Sequence, residues 1–179
     1  DYYGEEPYFN KITNLFLDPD AAFAAVKNGD VDIAEVAVAY ADEDIEGYHM
    51  EYFDSIDVRG VSLPTTMDEG KTSEDGVAIG NNVTGDPAVR QALAIGIDRE
   101  ELIDGALNGY GNVSYTGVAN QLPWAFDAGF KDGQVDQAKT ILEQAGWKDT
   151  DGDGIREKDG QKAEFTVYYK ASAVERQAI

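Results

Sequence analysis

Three aspartates, each placed directly before a segment with helical spacing of apolar residues, determine where helices can begin in this chain. Asp18 and Asp86 are each followed by a proline. Proline is favoured at the first helical position because its missing N–H has no intrahelical partner there in any case. Asp98 precedes a third segment and has a glutamate three residues later, as in a capping box. The sequence therefore predicts helices that begin at Pro19, at Pro87 and directly after Asp98.

Four other apolar segments have the composition or the alternation of β-strands. Residues 12–17 and 31–36 flank the first helix, so these three segments together predict a β-α-β unit with parallel strands and a right-handed crossover. Residues 56–63 and 164–169 predict two further strands. Isoleucine and tyrosine recur at helical spacing in residues 41–57, which predicts a short amphipathic helix. Its acidic side chains are interpreted as a solvated face, with an interaction surface as the alternative.

A stretch rich in glycine and proline, residues 64–87, interrupts these patterns. It has weak periodicity, with a short strand predicted at 77–79, and we interpret it as a long loop between two lobes. The last long helix is predicted over residues 134–145. Gly146 followed by Trp147 is typical of a Schellman stop, in which glycine is left-handed and the next residue supplies a hydrophobic contact.

The two ends of the sequence suggest that more chain surrounds it. The chain begins without an initiator methionine or a signal-peptide pattern. Ser172 and Glu175 form a capping box, but only about one turn of helix follows, and so short a helix is marginal by itself. We therefore expect the chain to be an internal part of a longer protein.

The charge of the chain limits its partners. Asp and Glu number 35 and Lys and Arg 14, which gives a formal net charge of -21. Such a surface argues against nucleic acid, whose phosphates need clustered Lys and Arg, and against an anionic membrane surface. No apolar run approaches the roughly 18–20 residues of a membrane span. The absence of cysteine excludes disulfides, zinc–thiolate sites and thiol nucleophiles.

The sequence offers little catalytic chemistry. His49 is the only histidine, and we interpret it as a packing or surface residue. There is no G-x-S-x-G elbow, no G-x-x-x-x-G-K-[ST] loop and no G-x-G-x-x-G after a strand. We therefore predict no catalytic residue and expect the chain not to be an enzyme. A hydrolase that uses a pair of carboxylates stays an alternative because acids are abundant.

One acidic motif, which starts at Asp149, has a spacing suited to a metal ion. Its D-x-D-x-D-G pattern matches the start of a calcium loop, where acids at positions 1, 3 and 5 converge on one ion and the glycine permits a sharp turn. Position 12 is Gly160 instead of the bidentate glutamate, which argues against an EF-hand proper. Tight turns built by Asp and Gly are the alternative interpretation. No cofactor is required, and the candidate ligands of a structural calcium ion are Asp149, Asp151, Asp153, Glu157 and the carbonyl of Ile155.

Several segments follow one another in the order found in a known family. The most specific is residues 86–100, D-P-A-V-R-Q-A-L-A-I-G-I-D-R-E, which is similar to the family pattern V-R-Q-A-L-x-x-A-I-D-R-E. The other segments are residues 1–12, 18–34, 108–111 and 138–147, followed by a common family insertion at 149–160. Together they resemble the family 5 extracellular solute-binding proteins of ABC importers, the peptide- and nickel-binding group.

The resemblance implies an α/β fold of the periplasmic-binding-protein type II class, present in part. One β-α-β piece of the first lobe would lie in residues 1–62, a crossover loop in 63–86, and part of the second, C-terminal lobe in 87–179. The resemblance also implies an extracellular or periplasmic location, with a membrane tether through a lipidated cysteine upstream of this chain.

In that family the ligand, a peptide or a nickel chelate, is held between the two lobes, and the closed protein docks on an ABC permease. Composition and motifs do not choose between these ligands. We expect Thr65, Thr66 and Met67 in the wall of the ligand cleft, with Tyr110 on the Gly-Tyr-Gly turn as a further contact. Ordinary loop residues are the alternative interpretation of all four. We expect a monomer that binds ligand weakly as this chain alone, and a calcium-stabilised structural or adhesion module is the remaining alternative class.

Overall fold

The computed structural model describes residues 4–126, 129, 131–171 and 174–179. The chain forms two compact units, Asp1–Tyr52 and Phe53–Ile179. Within the described residues, most of the regular secondary structure lies in the second unit.

The first unit is organised around one helix, α1, Pro19–Lys27. Asp18 precedes it with an extended backbone and Pro19 takes the first position, so the predicted helix start is confirmed. The side chain of Asp18 makes no capping hydrogen bond, so its contribution is positional only. Gly29 ends the helix with φ of 74°, and its N–H donates to the Val26 carbonyl at 2.9 Å. This left-handed position favours glycine over any residue with a side chain.

An aromatic pair connects α1 to the segment that follows it. The rings of Phe23 and Tyr40 stack with centroids 3.8 Å apart and an interplanar angle of 3°. Tyr40 ends a short 3₁₀ helix, Val38–Tyr40, and its hydroxyl donates to Asp20 at 2.7 Å. That hydrogen bond to a carboxylate raises the pKa of Tyr40 above its usual value. The bond therefore favours the protonated tyrosine that donates it.

The helix predicted over residues 41–57 is wrong, because the structure holds this segment by tyrosine hydroxyls instead. Tyr48 donates to the Val31 carbonyl at 2.6 Å, and Tyr52 donates to the Ala41 carbonyl at 2.8 Å. The four-residue spacing of the two tyrosines, which predicts a helix, serves to reach two separate carbonyls. Acids without basic partners on the same segment also disfavour a helix, since like charges one turn apart repel.

The four longer strands predicted from the sequence are wrong. Residues 12–17, 31–36, 56–63 and 164–169 have no regular secondary structure, so the β-α-β unit retains its helix and lacks both strands. A strand is stabilised by hydrogen bonds to a neighbouring strand, and an apolar pattern specifies a buried face without specifying a partner. Several apolar side chains on these segments remain in solvent, such as Phe16 at 96% and Ile33 at 91% exposure.

Only short β-structure is present in the part of the chain that the structure describes. Two strands, β1 (Glu157–Lys158) and β2 (Gln161–Lys162), form an antiparallel hairpin. An isolated bridge between Thr72 and Ala78 coincides with the short strand predicted at 77–79.

The second unit contains four helices among its described residues. Buried Ala92 and Ile95 of α2 pack against buried Ala138 of α4. A Cβ added to Gly96 would lie 3.1 Å from the Cβ of Ala138, so small residues allow the two helices to approach closely. The helices are α2 (Pro87–Gly96), α3 (Arg99–Leu107), α4 (Val135–Gln144) and α5 (Val174–Ala178).

Two aspartate caps are confirmed in full. The Asp86 carboxylate accepts from the Ala88 N–H at 2.9 Å and starts α2. The Asp98 carboxylate accepts from the N–H groups of Glu100 and Glu101, at 3.1 and 3.0 Å, and starts α3. Each cap satisfies donors that the first helical turn cannot pair internally.

The predicted Schellman stop after α4 is also confirmed. Gly146 has φ of 92° and donates its N–H to the Glu143 carbonyl at 3.1 Å, while the Trp147 N–H reaches the Leu142 carbonyl at 2.9 Å. Trp147 is only 2% exposed and forms the main core with Val83 and Val89. Other apolar side chains pack around that core: Leu93, Leu142, Ala145, Ala163 and Phe165.

The last helix, α5, has five residues. Ser172, its predicted cap, lies outside the described residues. Over the ranges that the structure describes, no helix combines the length and the apolar character needed to cross a membrane.

The two tryptophans provide a direct test of this core. Trp147→Ala is expected to lower the free energy of unfolding by about 3–5 kcal/mol, because it removes a large buried side chain and leaves a cavity. Trp124→Ala serves as the control, since Trp124 is 68% exposed, and it should change stability by no more than about 0.5 kcal/mol. Urea denaturation measures both, and equal losses in the two variants would contradict the assigned core.

Candidate ligand and metal sites

The loop predicted to contact ligand is fixed by a second loop. The Thr66 carbonyl accepts from the Asn81 N–H at 3.0 Å. Gly80 lies so close to the Met67 carbonyl oxygen that a Cβ at position 80 would clash with it. Gly80 also has φ of 92°, a conformation that side-chain-bearing residues rarely adopt. The backbone at Thr66 and Met67 is therefore fixed by its contacts with Gly80 and Asn81, and position 80 requires glycine.

Met67 lines a cavity of about 270 Å³ in the second unit. Thr65, Thr66 and Tyr110 do not line this cavity. Tyr110 is half-buried at the turn after α3, where its N–H donates to the Leu107 carbonyl at 2.8 Å. Of the four predicted cleft residues, Met67 is thus the one that lines this cavity. The remaining lining residues are Asn82, Asp86, Trp147, Lys158, Asp159 and Gln161.

Asp86 supplies the main polar anchor in this cavity. Beyond its cap, its Oδ2 accepts from the Trp147 Nε1 at 3.0 Å and from the Lys158 Nζ at 2.7 Å. The same Lys158 ammonium lies 5.8 Å from the centre of the Trp147 ring. The carboxylate of Asp86 therefore contacts the start of α2, the indole of Trp147 and the hairpin β1–β2. Its side chain is 13% exposed.

The ionisation of Asp86 reflects two opposed effects. Burial disfavours the charged carboxylate, but hydrogen bonds from Lys158, the Ala88 N–H and Trp147 outweigh burial and hold the pKa of Asp86 below its usual value. A carboxyl whose pKa is lower in the folded state stabilises that state at neutral pH.

The sequence does not predict that Asp86, Trp147 and Lys158 come together in this cavity. Asp86 and Trp147 are recognisable singly, as a helix cap and a helix stop. Their side chains meet across 61 and 72 residues of chain, and no local pattern encodes such a pairing. The usable signal is chemical: a buried indole N–H and a partly buried ammonium both require an acceptor.

The predicted calcium ligands do converge. One carboxylate oxygen from each of Asp149, Asp151, Asp153 and Glu157 lies within 4.8 Å of those from the others. The loop is shaped by its own amides: Asp149 accepts from Gly152 and Gly154, at 2.7 and 3.0 Å. Ile155, whose carbonyl is a predicted ligand, is half-buried and donates its N–H to Asp153 Oδ1 at 2.8 Å. These bonds are also those expected of the tight-turn interpretation.

Glu157 distinguishes this loop from an ordinary turn. Its Oε2 accepts from the N–H and the hydroxyl of Thr150, at 3.0 and 2.9 Å. Its Oε1 is buried and has no hydrogen-bond partner, a condition shared among the described side chains only with Thr84 Oγ1. A buried carboxylate oxygen without a partner costs about 1–3 kcal/mol or more. Carboxylate oxygens are the ligands that Ca²⁺ prefers, so the donor set fits that ion.

A lysine on β2 already balances part of this negative charge. Lys162 Nζ lies 2.5 Å from Asp153 Oδ2. The hydrogen bond from Lys162, followed by that from the Ile155 N–H, holds the pKa of Asp153 below its usual value. The same contact with Asp153 raises the pKa of Lys162.

A second groove, of about 480 Å³, contains two acids and bears on the hydrolase alternative. Glu143 pairs with Arg156 at 3.2 Å, and Asp149 accepts from loop amides through both carboxylate oxygens. Both acids are thus held as structural acceptors. The groove is also lined by Lys139, Lys148 and Gly154.

The role of Asp86 can be measured with a matched pair of caps. Asp86→Asn keeps a capping oxygen and loses the charge that binds Lys158, so it should cost about 1.5–3 kcal/mol at pH 7. Asp98→Asn is the control, because Asp98 caps backbone N–H groups and has no ion pair among the described residues, and asparagine caps about equally well. Urea denaturation at pH 7 compares the two variants.

The same variants test the sign of the pH dependence. Because the folded pKa of Asp86 is lowered, its contribution is complete above the unfolded value of about 3.9 and is lost as pH falls through the folded value. The stability difference between the wild type and Asp86→Asn should therefore shrink below about pH 4. A difference that stays constant down to pH 2 would contradict the assigned ion pair.

Comparison with known proteins places these features in a family. The model of "Bacterial extracellular solute-binding proteins, family 5 Middle" matches residues 1–179. Protein XP55 of Streptomyces lividans is 32% identical over 180 residues, covering 98% of this chain and 30% of its own length. Oligopeptide-binding protein AppA of Bacillus subtilis is 31% identical over 176 residues (93% and 29%). The nickel-binding periplasmic protein of Escherichia coli is 32% identical over 175 residues (89% and 30%).

Solved structures agree on the fold. AppA from Bacillus subtilis in complex with a nonapeptide matches with a TM-score of 0.56 and 29% identity, over 81% of this chain and 27% of that one. NikA from Brucella suis in complex with Fe(III)-EDTA matches with a TM-score of 0.70 and 25% identity, over 90% and 31%. The predicted α/β fold of the type II binding-protein class, present in part, is confirmed by these matches.

The chain spans about 30% of the length of the curated relatives it matches. The relatives that are named for a function are binding proteins, which confirms the prediction that the chain is not an enzyme and sets the hydrolase alternative aside. The match to the family model covers every residue of the chain. The chain belongs to the bacterial extracellular solute-binding proteins of family 5.

Proposed function

We propose that this chain is part of the solute-binding component of an ABC importer, which captures a peptide or a nickel chelate between two lobes. The observation that carries the proposal is the family match over residues 1–179. The relatives support both ligand classes, since one is named for oligopeptides and another for nickel. We also propose an extracellular or periplasmic location, a lipid tether and a monomeric state.

In this proposal, ligand binding causes the two lobes to close, and the closed state signals that ligand is bound. A ligand that contacts both lobes binds the closed state more tightly and so shifts the population toward it. The closed, loaded protein then docks on a membrane permease and delivers the ligand. No step requires a covalent reaction, because the free-energy difference between the open and closed states carries the signal.

We propose that the crossing between the lobes lies in residues 63–86, with residues 1–62 and 87–179 contributing to the first and second lobes. Thr65, Thr66 and Met67 would then form part of the cleft wall, with Tyr110 as a further contact. Met67 is the best supported of the four, because its backbone is fixed against Gly80 and its side chain lines a cavity. A rigid backbone lowers the entropy lost when a ligand is bound.

Binding measurements on a protein of the relatives' length that contains this chain test the proposal. We expect binding either from a peptide library or from nickel with a small carboxylate chelator, as detected by native mass spectrometry. Met67→Ala should weaken that binding by about three- to tenfold, the cost of one lost apolar contact. Val77→Ala is the control, because Val77 is 65% exposed next to the bridge between Thr72 and Ala78 and does not line the cavity. Absence of binding to either ligand class would contradict the proposed function.

We further propose that the acidic loop binds calcium as a structural ion, with ligands from Asp149, Asp151, Asp153, Glu157 and the Ile155 carbonyl. The close approach of the four carboxylates and the unpaired, buried Glu157 Oε1 support it. An ion shared by these oxygens would relieve their mutual repulsion and satisfy the unpaired one. Calcium would therefore stabilise the fold without taking part in ligand capture.

Thermal unfolding with calcium and with chelator tests this second proposal. Calcium at about 100 times its dissociation constant should stabilise the chain by about 2.7 kcal/mol, or roughly 5–10 °C. Glu157→Gln should reduce the shift. Asp159→Asn is the control for charge, since Asp159 lies outside the carboxylate cluster and has a positive φ of 52° that asparagine tolerates. No shift and no heat of binding at about 10 mM calcium would remove the calcium proposal.

A further inference from the structure

The hairpin β1–β2 places one lysine directly against the acidic loop. Lys162 is the register partner of Glu157 in the ladder, and its Nζ reaches Asp153 Oδ2 at 2.5 Å. Both side chains are partly exposed, at 43% for Lys162 and 36% for Asp153. Lys162 therefore lies opposite Glu157 on β2, and its side chain extends to the carboxylate of Asp153.

Two cations near the loop, Arg156 and Lys158, are paired with other groups. Arg156 donates to the Trp147 carbonyl and pairs with Glu143. Lys158 pairs with Asp86. Among the described residues, the four clustered carboxylates take part in one ion pair, which joins Asp153 to Lys162. Lys162 is thus the cation paired with the cluster, and Glu157 Oε1 still has no partner.

The lysine and a metal ion would require the same atom. Asp153 Oδ1 is taken by the Ile155 N–H, so Oδ2 is the oxygen of Asp153 that is free of backbone donors. That oxygen is the one bound to Lys162. A calcium ion bound to that oxygen would lie beside the Lys162 ammonium, and the two positive charges would repel each other.

We propose that Lys162 is a built-in cation that competes with calcium for Asp153 and thereby sets the calcium affinity of the loop. The inference rests on the proposal that this loop binds calcium. Without the ion, Lys162 connects the loop to β2 and offsets part of the repulsion among the carboxylates. With the ion bound, calcium holds the loop and the lysine is released to solvent.

Calcium titration of the chain, by isothermal calorimetry with calcium chloride alone, tests the competition. Lys162→Gln should bind calcium about three- to tenfold more tightly than the wild type, because a competing positive charge is removed. Lys71→Gln is the matched control. It removes a lysine that pairs with Glu69 at 2.6 Å and contacts none of the four carboxylates, so its affinity should match the wild type.

The outcomes separate the two proposals. Binding by the wild type with unchanged or weaker affinity in Lys162→Gln would overturn the competition and leave the calcium site standing. Absence of binding in all three proteins would overturn both. Thermal unfolding provides an independent readout: in chelator, Lys162→Gln should be less stable than the wild type, and saturating calcium should remove the difference. A deficit that persists in saturating calcium would contradict release of the lysine.

Discussion

The carboxylate of Asp86 is the constraint on which the second unit depends. It caps α2, accepts from the indole of Trp147 and pairs with Lys158, so three distant parts of the chain are fixed at one group. Because this carboxylate is largely buried, losing one partner leaves a charge or a donor without compensation. Both candidate sites lie beside this anchor. Met67 lines the cavity that contains it, and the acidic loop runs between Trp147 and Lys158.

Local signals in the sequence were sufficient for the capped helices, although apolar spacing alone wrongly predicted a helix over residues 41–57. Asp86 and Asp98 cap the helices they precede, and Gly146 followed by Trp147 ends α4, because each signal acts through backbone groups a few residues away. Strands could not be predicted in this way. The alternation in residues 164–169 describes a face, but a ladder needs a partner that the pattern does not name. Val167, on the apolar face of this segment, consequently remains 51% exposed.

The same distinction applies to the sites. The convergence of the acidic loop could be predicted because its four acids lie within nine residues and their spacing brings the carboxylates together. The contact between Asp86 and Lys158 spans 72 residues and depends on how α2 and the hairpin pack. Lys162 falls between these cases. It is close to the loop in sequence, yet only the register of β1 with β2 brings its ammonium to Asp153.

In the proposed function, ligand is captured by closure, and closure needs a fixed wall on each side of the cleft. A capped and ion-paired second unit would supply one such wall. Closure over a solute can be measured by small-angle X-ray scattering on a protein of the relatives' length that contains this chain. Capture by closure predicts a smaller radius of gyration when ligand is bound. An unchanged radius at saturating ligand would contradict capture by closure.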